Sequence, residues 1–464
     1  MLSGREGVVG VVAVNPQTIR AEVAELLGVS AGEVDPDGDL ISQGLDSIRM
    51  MSLAGRWRKL GIDIDFARLA EVPTVRSWTE LLAVAGGVQA VEATAPQHDS
   101  APDQPFALAP MQHAMWVGRE SDQQLGGVAG HLYVEFDGSG LDPARLVAAA
   151  TALAVRHPML RVQFLPDGTQ RIAPLTGEFP VAVVDLRDLP DDQVAAQLSR
   201  TQHRKAHQQL DNAVFELTLT LLPHGATRLH IDLDMQAGDA MSYRTLMADL
   251  AKCYRDVELA PLQYTYREYR LATTQSTASS EVDRAWWAQQ LPDLPDPPQL
   301  PLVPPAEQGD PRRTTRRWHW LSPEMRDGLF AAAQRRGLTP AMALAGSFSD
   351  ALACWSARSR FLLNVPMFGR DQRHPDVDRL VGDFTSSLLL DVDLDQAETA
   401  AARGEALQRA FRTAAAHSGY TGLEVLRDLS RYRGTQVLAP VVFTSALGLG
   451  ELFAPEVTAT FGTP

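Results

Sequence analysis

The stretch from Gly87 to Gln104, GVQAVEATAPQHDSAPDQ, constrains this chain most. It is rich in Ala, Pro and polar residues and has no hydrophobic period, so it reads as a linker. A linker here forbids one continuous core. It leaves a small N-terminal unit over 15–86 and a large unit over 105–464. Residues 1–14 carry the apolar run GVVGVVAV. That run is too short to span a bilayer and lacks a basic start, so the segment reads as a disordered leader rather than a signal peptide.

The small unit has helical spacing throughout. Asn15-Pro16 reads as an N-cap followed by proline at the first helical position, and Ile19, Val23, Leu26 and Leu27 recur on one face. A second helix starts near Ser47, with Met50, Leu53, Trp57 and Leu60 as its apolar stripe, and stops at Gly61. A last helix opens after Val72-Pro73-Thr74-Val75 and runs through Trp78, Leu81 and Leu82. A small four-helix bundle is expected. The large unit alternates instead. Strand patterns at 131–138, 229–234, 361–368, 387–394 and 439–447 are interleaved with helices such as PARLVAAATALAVRH and TPAMALAGSFSDALACWSA, which predicts an α/β layered fold.

Composition removes several function classes. The net charge of −15 argues against nucleic acid, which requires a basic face. No stretch reaches transmembrane length. The two cysteines, Cys253 and Cys354, form no C-x-x-C pair, so no metal or redox site is expected. They read as buried thiols of a reducing, cytoplasmic compartment.

Two acidic motifs stand out. In Gly44-Leu45-Asp46-Ser47, the aspartate and serine open an apolar helix. Spacing alone favours a cap. The same helix start would also stabilise a phosphodiester on Ser47. In IDLDMQAGDAMS, Asp234 and Asp239 flank a turn between a strand and a helix. Two carboxylates so close could do acid/base work; spacing favours a salt-bridged turn and an N-cap. Asp383 and Thr385 read as a turn before a strand, and Thr444 as strand packing. His157 and His417 read as hydrogen-bonded structural histidines.

The stretch DLISQGLDSIRMMSLAGRWRKLGIDIDF resembles carrier domains of nonribosomal peptide synthetases. The resemblance implies that a phosphopantetheinyl transferase modifies Ser47, beside Asp46, with 4'-phosphopantetheine. The basic helix bearing Arg49, Arg56, Arg58 and Lys59 could dock partners or simply be solvated. Beyond the linker, FALAPMQHAMWVGR, RHPMLRVQF, GDFTSSLL, HSGYTGLEVLRDLSR and PVVFTSALG occur in the order found in heterocyclization domains of the same synthetases. These domains carry D-x-x-x-x-D where condensation domains carry H-H-x-x-x-D-G. Met235 stands where the second histidine would be, and it cannot accept a proton.

The family implies a two-lobe, chloramphenicol-acetyltransferase-like α/β fold around a tunnel. It implies a mainly structural role for Asp239 and a cyclodehydration role for Thr444. The pair of domains is similar to the aryl carrier and heterocyclization portion of mycobactin-type siderophore synthetases. That implies a ligase that joins a salicyl-type aryl group to a carrier-bound serine or threonine and closes a hydroxyphenyl oxazoline. A salicylate-activating adenylate ligase and downstream adenylation and carrier modules would be its partners. The family's next motif, Q-x-P-Q-V-x-L-D, supplies an aspartate to partner Thr444 and is not found before Pro464. A truncated C-lobe is therefore expected. That keeps open a non-catalytic carrier and docking fragment, alongside an amide-forming condensation enzyme that does not cyclise.

Overall fold

The structure is a computed structural model. It describes residues 15–85, 103–304, 307 and 315–464, less positions 28, 42, 46–48, 51–52, 55–56, 58–61, 63, 65–67, 70–71, 121–125, 128, 209, 211–212, 275–277, 372 and 448–450.

The small unit begins with α1 (Pro16–Leu27) and ends with α2 (Val75–Ala85). Asn15 Oδ1 accepts the Thr18 N–H at 2.9 Å, which caps α1. Ile19, Val23, Leu40, Leu45, Met50, Leu53, Trp57 and Trp78 form one buried cluster, so the helical stripes read from the sequence do meet. Trp57 and Trp78 pack edge to face at 5.7 Å. Each indole N–H finds an acceptor, Trp57 on Glu22 and Trp78 on the Leu69 carbonyl.

The large unit divides into two lobes. In the N-lobe, β1 (Phe106–Ala107) joins β3 (Val162–Phe164) and β4 (Thr169–Ile172) in a small sheet. The main sheet has the order β2-β7-β6-β5, built from β2 (His131–Ser139), β5 (Val181–Asp185), β6 (Phe215–Leu221) and β7 (Ala226–Asp234). Its apolar face packs on α4 (Pro143–Arg156) and α6 (Ala240–Tyr254), burying Leu146, Leu153, Leu229, Ile231, Leu246 and Leu250. Its other face meets α5 (Asp191–Ala206), where Lys205 reaches Asp232 at 2.7 Å in a fully buried ion pair. Helix α3 (Pro110–Gly118) follows β1 and leads toward the lobe boundary.

Helices α7 (Tyr266–Thr274) and α8 (Ala278–Gln290) lead to the C-lobe. There β8 (Arg360–Phe368) and β9 (Thr385–Asp393) pair antiparallel, with Asn364 opposite Leu389. Helices α9 (Pro323–Gln334), α10 (Pro340–Ala353), α11 (Ala400–Ala415) and α12 (Gly422–Arg433) accompany them, and the last three contribute to the second core with the strands. The chain returns to the N-lobe through α13 (Pro455–Phe461), whose Phe461 is buried beside Phe136. A Cβ on Gly138 would lie 2.3 Å from the Phe461 carbonyl oxygen, so only glycine lets this helix end approach β2.

Two expectations need correction. Residues 439–447 are not a strand. They run extended beside β8 and bond to it only around Asn364, which donates to Val441 O and accepts from Phe443 N–H. Val441 and Phe443 pack on the second core while Thr444 is exposed, so the β-branched pattern reflects packing on one side without a full ladder. The cysteines are not both buried: Cys354 caps the end of α10 and is exposed, and Cys253 is half-buried. Among the described residues, no helix is long and apolar enough to cross a membrane.

Candidate functional site at the lobe boundary

Strand β7 delivers Asp234 to the boundary, and five residues later Asp239 opens α6. Asp234 is 1% exposed. It is held by the Arg119 guanidinium that follows α3, and it accepts the Gln236 N–H at 2.9 Å. Met235 between them is half-buried against Gly130 and offers no acid/base group. Asp239 is the N-cap of α6, its Oδ1 accepting the Ser242 N–H at 2.7 Å.

Asp239 also joins the two lobes. Arg370, just beyond β8, reaches its carboxylate at 3.0 Å and lies over the Phe384 ring at 4.0 Å. The Gly382 carbonyl, just before β9, accepts from the Asp239 N–H at 3.2 Å and the Ser242 hydroxyl at 2.8 Å. Tyr266 closes the seam by donating to the Asp383 carbonyl at 2.6 Å. A Cβ on Gly382 would sit 2.1 Å from the Tyr266 ring, so the contact requires glycine. This geometry gives Asp239 a clasping role between lobes.

The sequence reading took the 383–385 segment as a turn, and Asp383 Oδ1 does accept the Thr385 N–H at 3.0 Å. It overlooked what burial does there. Asp383 is 2% exposed, and its Oδ2 has no hydrogen-bond partner among the described residues. Burial pushes its pKa up to about 7, and the nearby Asp239 charge adds to the rise.

Three glutamines were also overlooked. Gln112, Gln170 and Gln236 are all fully buried. Gln112 donates to Gln236 O at 2.8 Å, Gln236 returns a bond to Gln112 O at 3.1 Å, and Gln170 donates to Gln112 Oε1 at 2.8 Å. They lock α3 to the Asp234–Asp239 turn. Gln112 beside His113, interrupting the apolar FALAPMQHAMW run, was the available signal for the first of them.

The remaining candidates lie elsewhere. Thr444 is exposed on the segment beside β8, and among the described residues no hydrogen bond links it to Asp234, Asp239 or Asp383. His157 bonds Asp249 at 2.9 Å and is held neutral by burial, which lowers its pKa. His417 stacks on Trp286 and bonds Asp283 at 3.1 Å. Ser47, Asp46, Arg56, Arg58 and Lys59 fall outside the described residues. Their neighbours suit an attached phosphodiester: Gly44 turns the chain at φ 110°, and Arg49 sets a cation there by bonding the Gly44 carbonyl at 2.9 Å.

Two family models match the chain. The phosphopantetheine attachment site family matches residues 17–82, and the condensation domain family matches residues 103–449. The chain is 65% identical to phenyloxazoline synthase MbtB of Mycolicibacterium paratuberculosis, over 97% of this chain and 39% of that protein. It is 37% identical to pyochelin synthetase PchE of Pseudomonas aeruginosa, over 92% of this chain and 30% of that protein. The chain thus spans well under half the length of these relatives. Among solved structures, the EpoB cyclization-docking bidomain from Sorangium cellulosum superposes with a TM-score of 0.72 at 30% identity, covering 86% of this chain and 80% of that one.

Proposed function

The chain belongs to the condensation domain family of nonribosomal peptide synthetases and carries a phosphopantetheine attachment domain ahead of it, and from that premise we propose a heterocyclization function. The protein condenses a salicyl-type aryl group, held by its own carrier, with a carrier-bound serine or threonine. It then cyclodehydrates the product to a hydroxyphenyl oxazoline for a mycobactin-type siderophore. The observation that carries this reading is the Asp234–Asp239 turn with Met235 between, in a chain 65% identical to a phenyloxazoline synthase. A condensation mechanism through a histidine at that place has no residue to use.

The phosphopantetheine arm, when attached to Ser47, supplies a thiol that holds the aryl acyl group. Once the acceptor's nitrogen has taken that group, its side-chain hydroxyl oxygen bonds to the new amide carbon. That C–O bond closes the ring; the former carbonyl oxygen then leaves as water, taking one proton from the hydroxyl and one from the nitrogen, and the ring C–N bond becomes C=N. We assign Thr444 to this proton exchange. Asp239 clasps the lobes through Arg370, and Asp234 fixes the same turn through Arg119. Holding both reactants between packed lobes makes the steps effectively intramolecular. The reading calls for a phosphopantetheinyl transferase, a salicylate-activating ligase and downstream modules as partners, in the cytoplasm.

The test is mass spectrometry of a reconstituted transfer. Ser47 is converted to the holo form, loaded with salicylate and mixed with a serine-charged downstream carrier. The expected product on the acceptor is the acyl adduct less one water, and Thr444→Ala retains the adduct but keeps the water. An adduct with no water lost in the parent would leave only amide formation. An unmodified acceptor beside a loaded Ser47 would reduce the chain to a carrier.

A further inference from the structure

The carrier and the C-lobe meet through the loop that leads toward Ser47. Asp39 opens that loop. Its Oδ1 accepts the Ile41 N–H at 2.7 Å, while its Oδ2 lies 3.8 Å from Arg412 Nη2 on α11. A Cβ on Gly337 would lie 3.9 Å from the same Oδ2, and a Cβ on Gly44 would lie 3.4 Å from Gln334 Nε2. Both ends of the loop therefore rest on one patch, formed by the end of α9, the turn before α10, and α11.

That patch is internally braced. Gln408 on α11 accepts the Thr339 N–H at 2.8 Å and donates to the Gly337 carbonyl at 2.6 Å, fixing the turn. Arg412 stands one helical turn further along the same face. Its side chain is 22% exposed, and among the described residues its Nε and Nη2 have no hydrogen-bond partner. Burial pushes its pKa down and the Asp39 charge pulls it up. A guanidinium stripped of water in this way costs free energy unless a carboxylate compensates it. The carrier supplies that carboxylate.

We propose that Arg412, with Gln334 and the turn at Gly337, is the C-lobe's address for its own carrier, read through Asp39. The address fixes how the carrier sits when the Ser47 arm is delivered. A carrier with a neutral or basic residue in place of Asp39 leaves Arg412 uncompensated and is rejected. The destination of the arm rests on the function proposed above; the docking contact does not.

Two substitutions separate charge from fold. Asp39→Asn keeps an oxygen to accept the Ile41 N–H and removes the charge, and Arg412→Gln removes the cation. In the full-length holo chain, two quantities are read: the single-turnover rate of aryl transfer from Ser47, and amide hydrogen exchange over 334–337 and 408–412. Each single variant is expected to slow transfer by about three- to tenfold and to raise exchange. The double variant is expected to be no slower than the slower single, because both changes remove one contact. Loading of Ser47 and the unfolding midpoint stay at parent values. Parent-like transfer and exchange in either single variant, or losses that multiply in the double, would overturn the proposal. If the parent itself transfers nothing, the proposed chemistry fails, and the exchange pattern alone decides the docking.

Discussion

Asp239 and Asp383 lie close together at the lobe boundary, 1% and 2% exposed, and differ in what surrounds them. Asp239 comes from the N-lobe. It has a helix N-terminus beneath it and the Arg370 guanidinium at 3.0 Å. Asp383 comes from the C-lobe, where burial outweighs the hydrogen bonding of Thr385 to its carboxyl and the smaller opposing charge of Arg270. The Tyr266 hydroxyl bonds the Asp383 backbone, not its side chain. Equal burial therefore yields different chemistry. The Asp239 carboxyl is tied to a cation and a helix end and clasps the lobes, whereas burial pushes the pKa of Asp383 up to about 7.

The largest expected effect comes from the uncompensated partner. The pKa of Asp383 is raised from 3.8 to about 7. Between those values the folded state binds more protons than the unfolded one, so stability falls as pH rises and the cost is complete above about 7. Asp383→Asn should remove that slope, a gain over the parent of up to about 4 kcal/mol at pH 8 and little at pH 4. Urea unfolding across pH checks it; parallel curves for parent and variant would refute the assignment. On the compensated side, Asp239→Ala should cost about 3 kcal/mol, because it strands Arg370 and removes the cap of α6. A much smaller loss in chemical denaturation would mean that the Val377 and Leu380 carbonyls already satisfy Arg370.

The seam between the two aspartates responds to shape rather than charge. Gly382→Ala forces a methyl into the Tyr266 ring, so a loss of about 1–3 kcal/mol without a change in pH dependence is expected. A loss that varies with pH would tie the seam to Asp383. The smallest effect should come from an exposed pair. Arg76 bonds Asp37 on the carrier surface with side chains 71% and 56% exposed, so Asp37→Asn should leave the thermal midpoint unmoved within error. A clear shift there would show that burial is not what separates strong from weak carboxylates in this protein.

Much of this was legible in the chain. The spacing of Ile19, Val23, Met50, Leu53 and Trp57 predicted a helical carrier, and those side chains share one core. The alternation at 131–138 and 229–234 predicted strands that pair side by side as β2 and β7. Asp239 could be read as an N-cap because a cap is a local event within one helical turn. The extended 439–447 segment was misread because a β-branched stretch looks the same whether it joins a ladder or only packs on one. Arg370 and Tyr266 were not found, because nothing in their own neighbourhoods announces partners more than a hundred residues away.

By itself, the sequence determined the helical and α/β character of the two parts, and the motifs at Ser47 and Asp234–Asp239. These depend on period, capping and composition, which act over a few residues. Only the tertiary structure decided that Asp239 clasps two lobes, that burial raises the pKa of Asp383, and that Asp39 of the carrier stands opposite Arg412. The reason is physical. The proton affinity of a carboxyl and the cost of a buried guanidinium depend on the water removed and the charges brought near, and folding sets both.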